Sequence, residues 1–270
     1  MSTLAPIWIE GIGVWAQGAA DWPSLRARMA ETRAEPSDDE CAGKPAAALL
    51  APGERRRAPI SVRLAVEAGA QAVAMSERDA STLPCLFSSA HGDSGILDYM
   101  CATLAEAPRE LSPTRFHNSV HNAAAGYWTI ATGCHAASDA LCAWRHSFGA
   151  GLLEAIGEVL SGGQPVLLVS YDVPGEGPLG EMIDSRAPFG CALVLAPAQS
   201  ERSLARLDVR TGPAQAVSSA QAPFLRWLAE RNLSAGAAPL LEALADSGSH
   251  TLEMPAAPAL GLHIAMEVAP

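Results

Sequence analysis

Basic charge is scarce in this sequence. Against 29 acidic side chains stand 18 Lys and Arg, a formal net charge of −11. So acidic a chain is poorly suited to non-specific contact with nucleic acid or an anionic membrane surface. The one dense basic run is Arg55-Arg56-Arg57, after Glu54. It reads as a solvated face, with a docking point for an acidic partner as the sharper alternative. Long apolar runs are also missing. None approaches the roughly 20 residues needed to cross a bilayer, so no membrane span is expected. No basic segment leads into an apolar one at the N-terminus, so no secretory leader is expected either. Six cysteines, at 41, 85, 101, 134, 142 and 191, include no CxxC pair. That argues against a zinc site or a thioredoxin-like motif and suits a cytoplasmic chain with reduced thiols. GxxxxGK[ST] and GxSxG are absent, leaving a P-loop and a hydrolase elbow unsupported. "GIGVWA" (11–16) formally matches GxGxxA, but "QGAADWP" interrupts the helix it should open. No cofactor and no metal are expected.

What is present is apolar and periodic. Hydrophobic residues make up 49% of the 270 residues and charged residues 17%, enough to bury a large core. Strands are predicted at 7–16, 83–89, 165–170, 191–196, 204–209 and 262–268. The 191–196 and 204–209 strands are placed so that a hairpin can join them. Helices are predicted at 21–30, 60–75, 94–106, 147–161, 223–231 and 238–246. In the 147–161 segment Phe148, Leu152, Ile156 and Leu160 recur at spacing four, and Gly162-Gly163 close it as C-cap glycines do. Residues 31–53 lack periodicity and are expected to be an exposed loop. Strands alternating with helices, with fully apolar strands among them, predict an α/β layered fold.

From 112 to 172 two stretches carry more information: "SPTRFHNSVHNAAAGYWTI" and "SFGAGLLEAIGEVLSGGQPVLLVSYD". In their order of asparagine, small residues, apolar helix, glycine turn, second helix and buried strand they resemble the β-ketoacyl synthases of the thiolase-like superfamily. "IWIEGIGVWA", "ERRRAPISVRLAVEA" and "LFSSAHGD" extend the resemblance over roughly residues 5–200. It is nearest to short members that are similar to the N-terminal half alone. The implied fold is the thiolase-like one, a buried sheet flanked by helices with a truncated C-terminal part. Residues 1–200 would be the synthase-like core and 201–270 a short completion of the same domain.

The family's nucleophilic cysteine begins a buried helix and is followed by two small residues and a glycine. Here "FGAG" (148–151) holds that place, so the nucleophile position falls on Phe148. A phenyl ring has no lone pair to attack with, and Arg145 and His146 beside it do not substitute. Cys134 stands well before that helix. Cys142, between Leu141 and Ala143, reads most simply as a core or interface thiol. The family's two catalytic histidines come from its C-terminal half, and neither His250 nor His263 has the matching surroundings. His117 and His121, at spacing four, are expected to be interface or structural residues.

The resemblance therefore implies a catalytically inactive chain-length factor, of the short form in aryl polyene (xanthomonadin-type) clusters. Its partner would be an active β-ketoacyl synthase, with acyl carrier protein engaged only indirectly. Phe116, His117, Asn118, Val120, His121, Asn122 and Gly126 are expected at the partner interface. Trp128, Trp144, Arg145 and Phe148 are expected to fill the former active-site cavity and line the acyl tunnel. There Arg145 would be buried against Asp139, Glu154 or the partner. Two other readings stay open: a stand-alone acyltransferase or hydrolase using Cys134 or Cys142 with a local histidine such as His135, and a homodimeric module that binds acyl groups or carrier protein.

Overall fold

In "IWIEGIGVWA" every residue but Trp8 is buried, because helical layers cover both faces of the strand. The computed structural model describes residues 2–269. Among the described residues nine strands form one mixed sheet: β1 (Ser2–Thr3), β2 (Ile7–Ala16), β3 (Cys85–Ser88), β4 (Ser138–Leu141), β5 (Val166–Asp172), β6 (Phe189–Ala196), β7 (Ala205–Pro213), β8 (Gly248–Ala257) and β9 (Leu260–Val268). Their order is β4-β3-β5-β6-β2-β7-β9-β8, with β1 on β7. β3 runs parallel to β4 and β5; the pairings from β5 onward are antiparallel. Helix Ser147–Gly162 and the helices Pro223–Ala229 and Ala238–Ala245 cover one face, through Leu152, Ile156, Phe224 and Leu241. Helix Ile60–Ser76 and helix Ala123–Thr132 cover the other, through Val62, Val66, Tyr127 and Trp128. This is the predicted layered α/β architecture.

Two details fix the layers. Helix Ile60–Ser76 lies so close to β2 that a Cβ on Gly11 or Gly13 would collide with the carbonyl of Ala72 or Ala68. Glu10, in the same strand, is fully buried and held by Arg78 (Nε 2.8 Å, Nη2 2.9 Å) and by the Ser200 hydroxyl. Burial pushes its carboxyl up, but the Arg78 and Ser200 hydrogen bonds and the Arg78 charge outweigh this and hold it below the ordinary value.

Three expectations change. The 191–196 and 204–209 strands do not form a hairpin: β2 lies between β6 and β7 and pairs with both. The expected 31–53 loop carries helix Asp38–Cys41, opened by a Ser37–Glu40 capping box, and leads into helix Pro52–Arg57. β8 was not visible in the sequence, because Pro255 and the bulge beside it break the period-two pattern. No described helix is long and apolar enough to cross a membrane.

Gly13→Ala should destabilise the protein by about 1–3 kcal/mol or more, read as a lower urea midpoint. Arg78→Ala strands the Glu10 carboxylate and should cost about 3 kcal/mol at neutral pH. The lowered Glu10 pKa stabilises the fold above the unfolded-state value of about 4.3, and this is lost as pH falls through the folded value. The urea-derived stability gap between the native chain and Glu10→Gln should therefore narrow with acidification below about pH 4.

Candidate functional site

Helix Ala123–Thr132 ends at Gly133 in the left-handed conformation (φ 65°), and β4 follows after a short turn. Beyond Cys142 and Ala143, a single tight turn, Trp144–His146, delivers the chain to helix Ser147–Gly162. Ser147 locks the turn: its hydroxyl donates to Trp144 O (2.8 Å) and accepts from Ala143 N (3.0 Å). Ser88 Oγ donates to Ser147 O at 2.7 Å. Trp144 has φ +52°, a left-handed conformation strained for a bulky side chain.

Phe148 is the helix's second residue and only 3% exposed. It packs into the same core as Leu86 and Leu152. The small residues after it answer to crowding. A Cβ on Gly149 would collide with the carbonyl of Pro255 in β8. On Gly151 it would stand 3.1 Å from Ser88 Cβ and 3.2 Å from Leu168 Cδ1. "FGAG" is thus built into a closed wall, with a hydrocarbon ring at the helix start.

Behind that wall lies a polar node that the sequence reading missed. Asp172, at the end of β5, is fully buried. It accepts from Ser89 Oγ (2.8 Å), Ala90 N (3.0 Å) and Ser234 Oγ (2.7 Å), with His91 Nε2 at 3.6 Å. Burial pushes its carboxyl up, against the opposing pull of His91 and these hydrogen bonds. Asn232 donates to the carbonyls of Asp172 (2.9 Å) and Ala187 (2.8 Å). The signal was present in "SSAHGD" and "SYD", polar residues at the ends of apolar strands.

The four residues expected to fill one cavity are not together. Trp128 is buried on the opposite sheet face, against Gly69 and Phe87. Trp144 is half-exposed. Arg145 is 56% exposed and pairs with Asp184, not with Asp139 or Glu154. Only Phe148 sits at the helix start. Nor is Cys142 a core thiol: it is exposed just past β4, its Sγ donating to Ala90 O at 3.0 Å. Cys134 is buried, its Sγ 3.4 Å from Leu83 O, while His135 is exposed. Burial pushes the Cys85 thiol up to about 11 and the Cys191 thiol further. His250 stands 3.2 Å from Asp246 O, and His263 is buried in β9, its Nδ1 2.6 Å from Glu253 Oε2.

The segment expected at an interface forms a face. Phe116 (58% exposed), Val120 and Ile130 (76%) line an apolar groove of about 740 Å³, with Asn122 and Gly126. Leu49, Leu50 and Pro52 form its other wall. His117 lies edge-on to Tyr127, with ring centroids 6.3 Å apart. His121 Nε2 is 3.2 Å from Ser89 O, and the buried Asn118 donates to Arg57 O at 3.1 Å. The helix that floors the groove packs on β4, an edge strand whose Ser138, Asp139 and Ala140 are exposed.

A family model described as "Beta-ketoacyl synthase, N-terminal domain" matches residues 26–248. None of the curated proteins compared with the sequence matches it. The fold is similar to that of a chain in the complex of the ketosynthase ApeO with its chain length factor ApeC from Xenorhabdus doucetiae: 20% identity, TM-score 0.72, 97% of this chain and 98% of that one. It is similar to a chain of the ishigamide ketosynthase/chain length factor (13%, TM-score 0.74, 98% and 100%). A third is AntDE:AntF, a type II acyl-carrier protein in complex with its ketosynthase bound to the hexaketide (13%, 0.76, 98% and 100%). At these identities the likeness is one of fold.

Brief treatment with iodoacetamide at neutral pH should modify Cys101 and Cys142 first, as both are exposed. Cys85, Cys134 and Cys191 should react only on unfolding, as peptide mass spectrometry would show.

Proposed function

This chain belongs to the β-ketoacyl synthase family, and from that premise we propose that it is a catalytically silent subunit of the chain-length-factor kind. The observation that carries the reading is Phe148, buried at the helix start where a synthase needs its thiol. Condensation proceeds through an acyl-enzyme, and without a thiolate there none can form. The partner is then an active β-ketoacyl synthase that supplies cysteine and histidines. Acyl carrier protein docks on that partner and reaches this chain only through it.

Two surface features support a heterodimer. β4 leaves its outer backbone groups unpaired at the sheet edge, an arrangement that proteins usually cover. Beside it, Phe116, Val120 and Ile130 expose a contiguous apolar face, a common mark of a protein contact. Pairing there would close the groove into the far wall of an acyl tunnel, so that side-chain volume at Phe116 and Val120 limits product length. The sequence resemblance to the short chain-length-factor form points to aryl polyene pigments as the product class.

Co-expressed with a synthase from its own gene neighbourhood, the chain should co-elute one to one on size exclusion. Ile130→Asp should abolish co-elution and leave a folded chain. A monodisperse monomer at high concentration that ignores the synthase would sink the heterodimer, and self-association through the same face would favour the homodimeric module. Labelled malonyl or acyl donor should leave no covalent adduct on the lone chain after denaturation. A stoichiometric adduct would restore the enzyme reading, with Cys142 the first residue to map.

A further inference from the structure

The apolar groove has two unlike walls. Phe116 and Ile130 stand on helices, whereas residues 48–51 opposite them belong to a loop that leads into helix Pro52–Arg57. From 44 to 50 the chain is in neither helix nor strand. Among the described residues, its one backbone–backbone hydrogen bond there is its own turn, Leu50 N donating to Ala47 O at 3.1 Å. The far end of the loop is fastened, since Asn118 donates to Arg57 O at the close of helix Pro52–Arg57.

What holds the loop is a side-chain tether from helix Ile60–Ser76. Glu67 Oε2 accepts from Ala47 N at 2.7 Å, and Arg63, one turn earlier, donates through Nη2 to Pro45 O. Arg63 holds by that one prong, its buried Nε having no partner among the described residues. Glu67 is itself oriented. Gln71 Nε2 donates to its Oε1 at 3.1 Å, and Gln71 Oε1 accepts from Val14 N of β2 at 3.1 Å. A relay of hydrogen bonds thus runs from the sheet to the groove wall. Where it ends, the backbone is strained: Ala47 is buried with φ +46°, in the left-handed region that glycine enters freely and alanine does not. Such strain persists only where the surroundings impose it, and here the Glu67 carboxylate meets the N–H of the strained residue.

We propose that residues 44–51 form a hinged wall, with Ala47 as the hinge and Glu67 as the latch, whose closed position sets the width of the groove. Glu67 is a positioning residue: it does not line the groove and acts through Ala47. A segment held mainly by side chains opens more readily than one held in a ladder, and latched and unlatched wall differ by about one charge-assisted hydrogen bond. The occupant of the groove, the partner synthase, rests on the subunit role proposed above. On that reading the wall opposite Phe116 and Val120 shares in limiting product length. Hinge and latch are properties of the lone chain and do not need that reading.

Amide hydrogen exchange of the full chain reads the hinge directly. Glu67→Ala, at a half-buried helix position that alanine suits, should speed exchange across 46–51 by about tenfold or more. Exchange in helix Ser147–Gly162 and the urea midpoint of the chain should stay near their native values. Glu67→Gln keeps one acceptor oxygen and should restore most of the protection. Ala47→Gly removes the strain and should slow exchange across 46–51 by about threefold, the opposite sign to a general loosening. In complex with the synthase, Glu67→Ala should broaden the product-length distribution, and Glu67→Gln should leave it near the native one. Exchange unchanged in Glu67→Ala, or not slowed in Ala47→Gly, would overturn the hinge and latch. Unchanged product lengths from a wall that has loosened would overturn its role in setting width. If the native chain pairs with no synthase, the subunit reading falls, and the exchange measurements still decide the hinge and latch.

Discussion

The first turn of helix Ser147–Gly162 has almost no free space beside it, and much of the molecule is arranged around that crowding. The carbonyl of Pro255 in β8 closes on Gly149, and Ser88 and Leu168 close on Gly151. Phe148 fills the remaining volume with hydrocarbon. Interiors pack near crystal density, so a position with no slack accepts only shapes that match it. The closure comes from β8, a strand that lies almost wholly beyond the residues matched by the family model.

The same crowding explains the polar node. Closing the helix start brings the segment 232–234 over the end of β5, and the backbone there needs partners. Asp172 and Asn232 supply them, tying Ser89, Ala90, Ser234 and Ala187 into one buried network. A carboxyl in that place costs desolvation, and its raised pKa records the cost. It is tolerable because each of its oxygens meets donors. The node is structural: it joins an early strand to a late loop across some sixty residues of sequence.

Much of the fold was legible because its signals are local. Helix 94–106 follows from a cap, Asp93, and an apolar run, and it lies where the sequence placed it. Helix Ser147–Gly162 announced itself by period and by its glycine stop. The failures are non-local. β6 and β7 are neighbours in sequence, yet β2 intervenes between them; strand order depends on which edge is free when pairing occurs, which no short pattern encodes. β8 escaped because proline and a bulge hide its alternation. At the site, the family resemblance pointed to Phe148, and its ring lies buried at the helix start. Trp128 was misplaced because an aromatic near a motif does not reveal which sheet face its helix covers. Arg145 was expected to be buried, but the strained turn at Trp144 carries it outward to Asp184.

The interior and the surface tell opposite stories, and the contrast carries the functional argument. The helix start is closed by packing against β8, Ser88 and Leu168. Yet Phe116, Val120 and Ile130 keep a large apolar face in water, which favours aggregation in an isolated chain. β4 likewise keeps an open edge with no charge run to blunt it, Asp139 excepted. Native proteins usually cover such edges and faces. The wall at Phe148 is equally specific: Gly149 fits against Pro255, and Gly151 against Ser88 and Leu168. A closed helix start combined with an exposed apolar face is what the proposed role, a subunit acting through shape, requires. On that proposal its contribution lies in where matter is placed beside a competent neighbour, and volume at the groove would matter more than any titratable group.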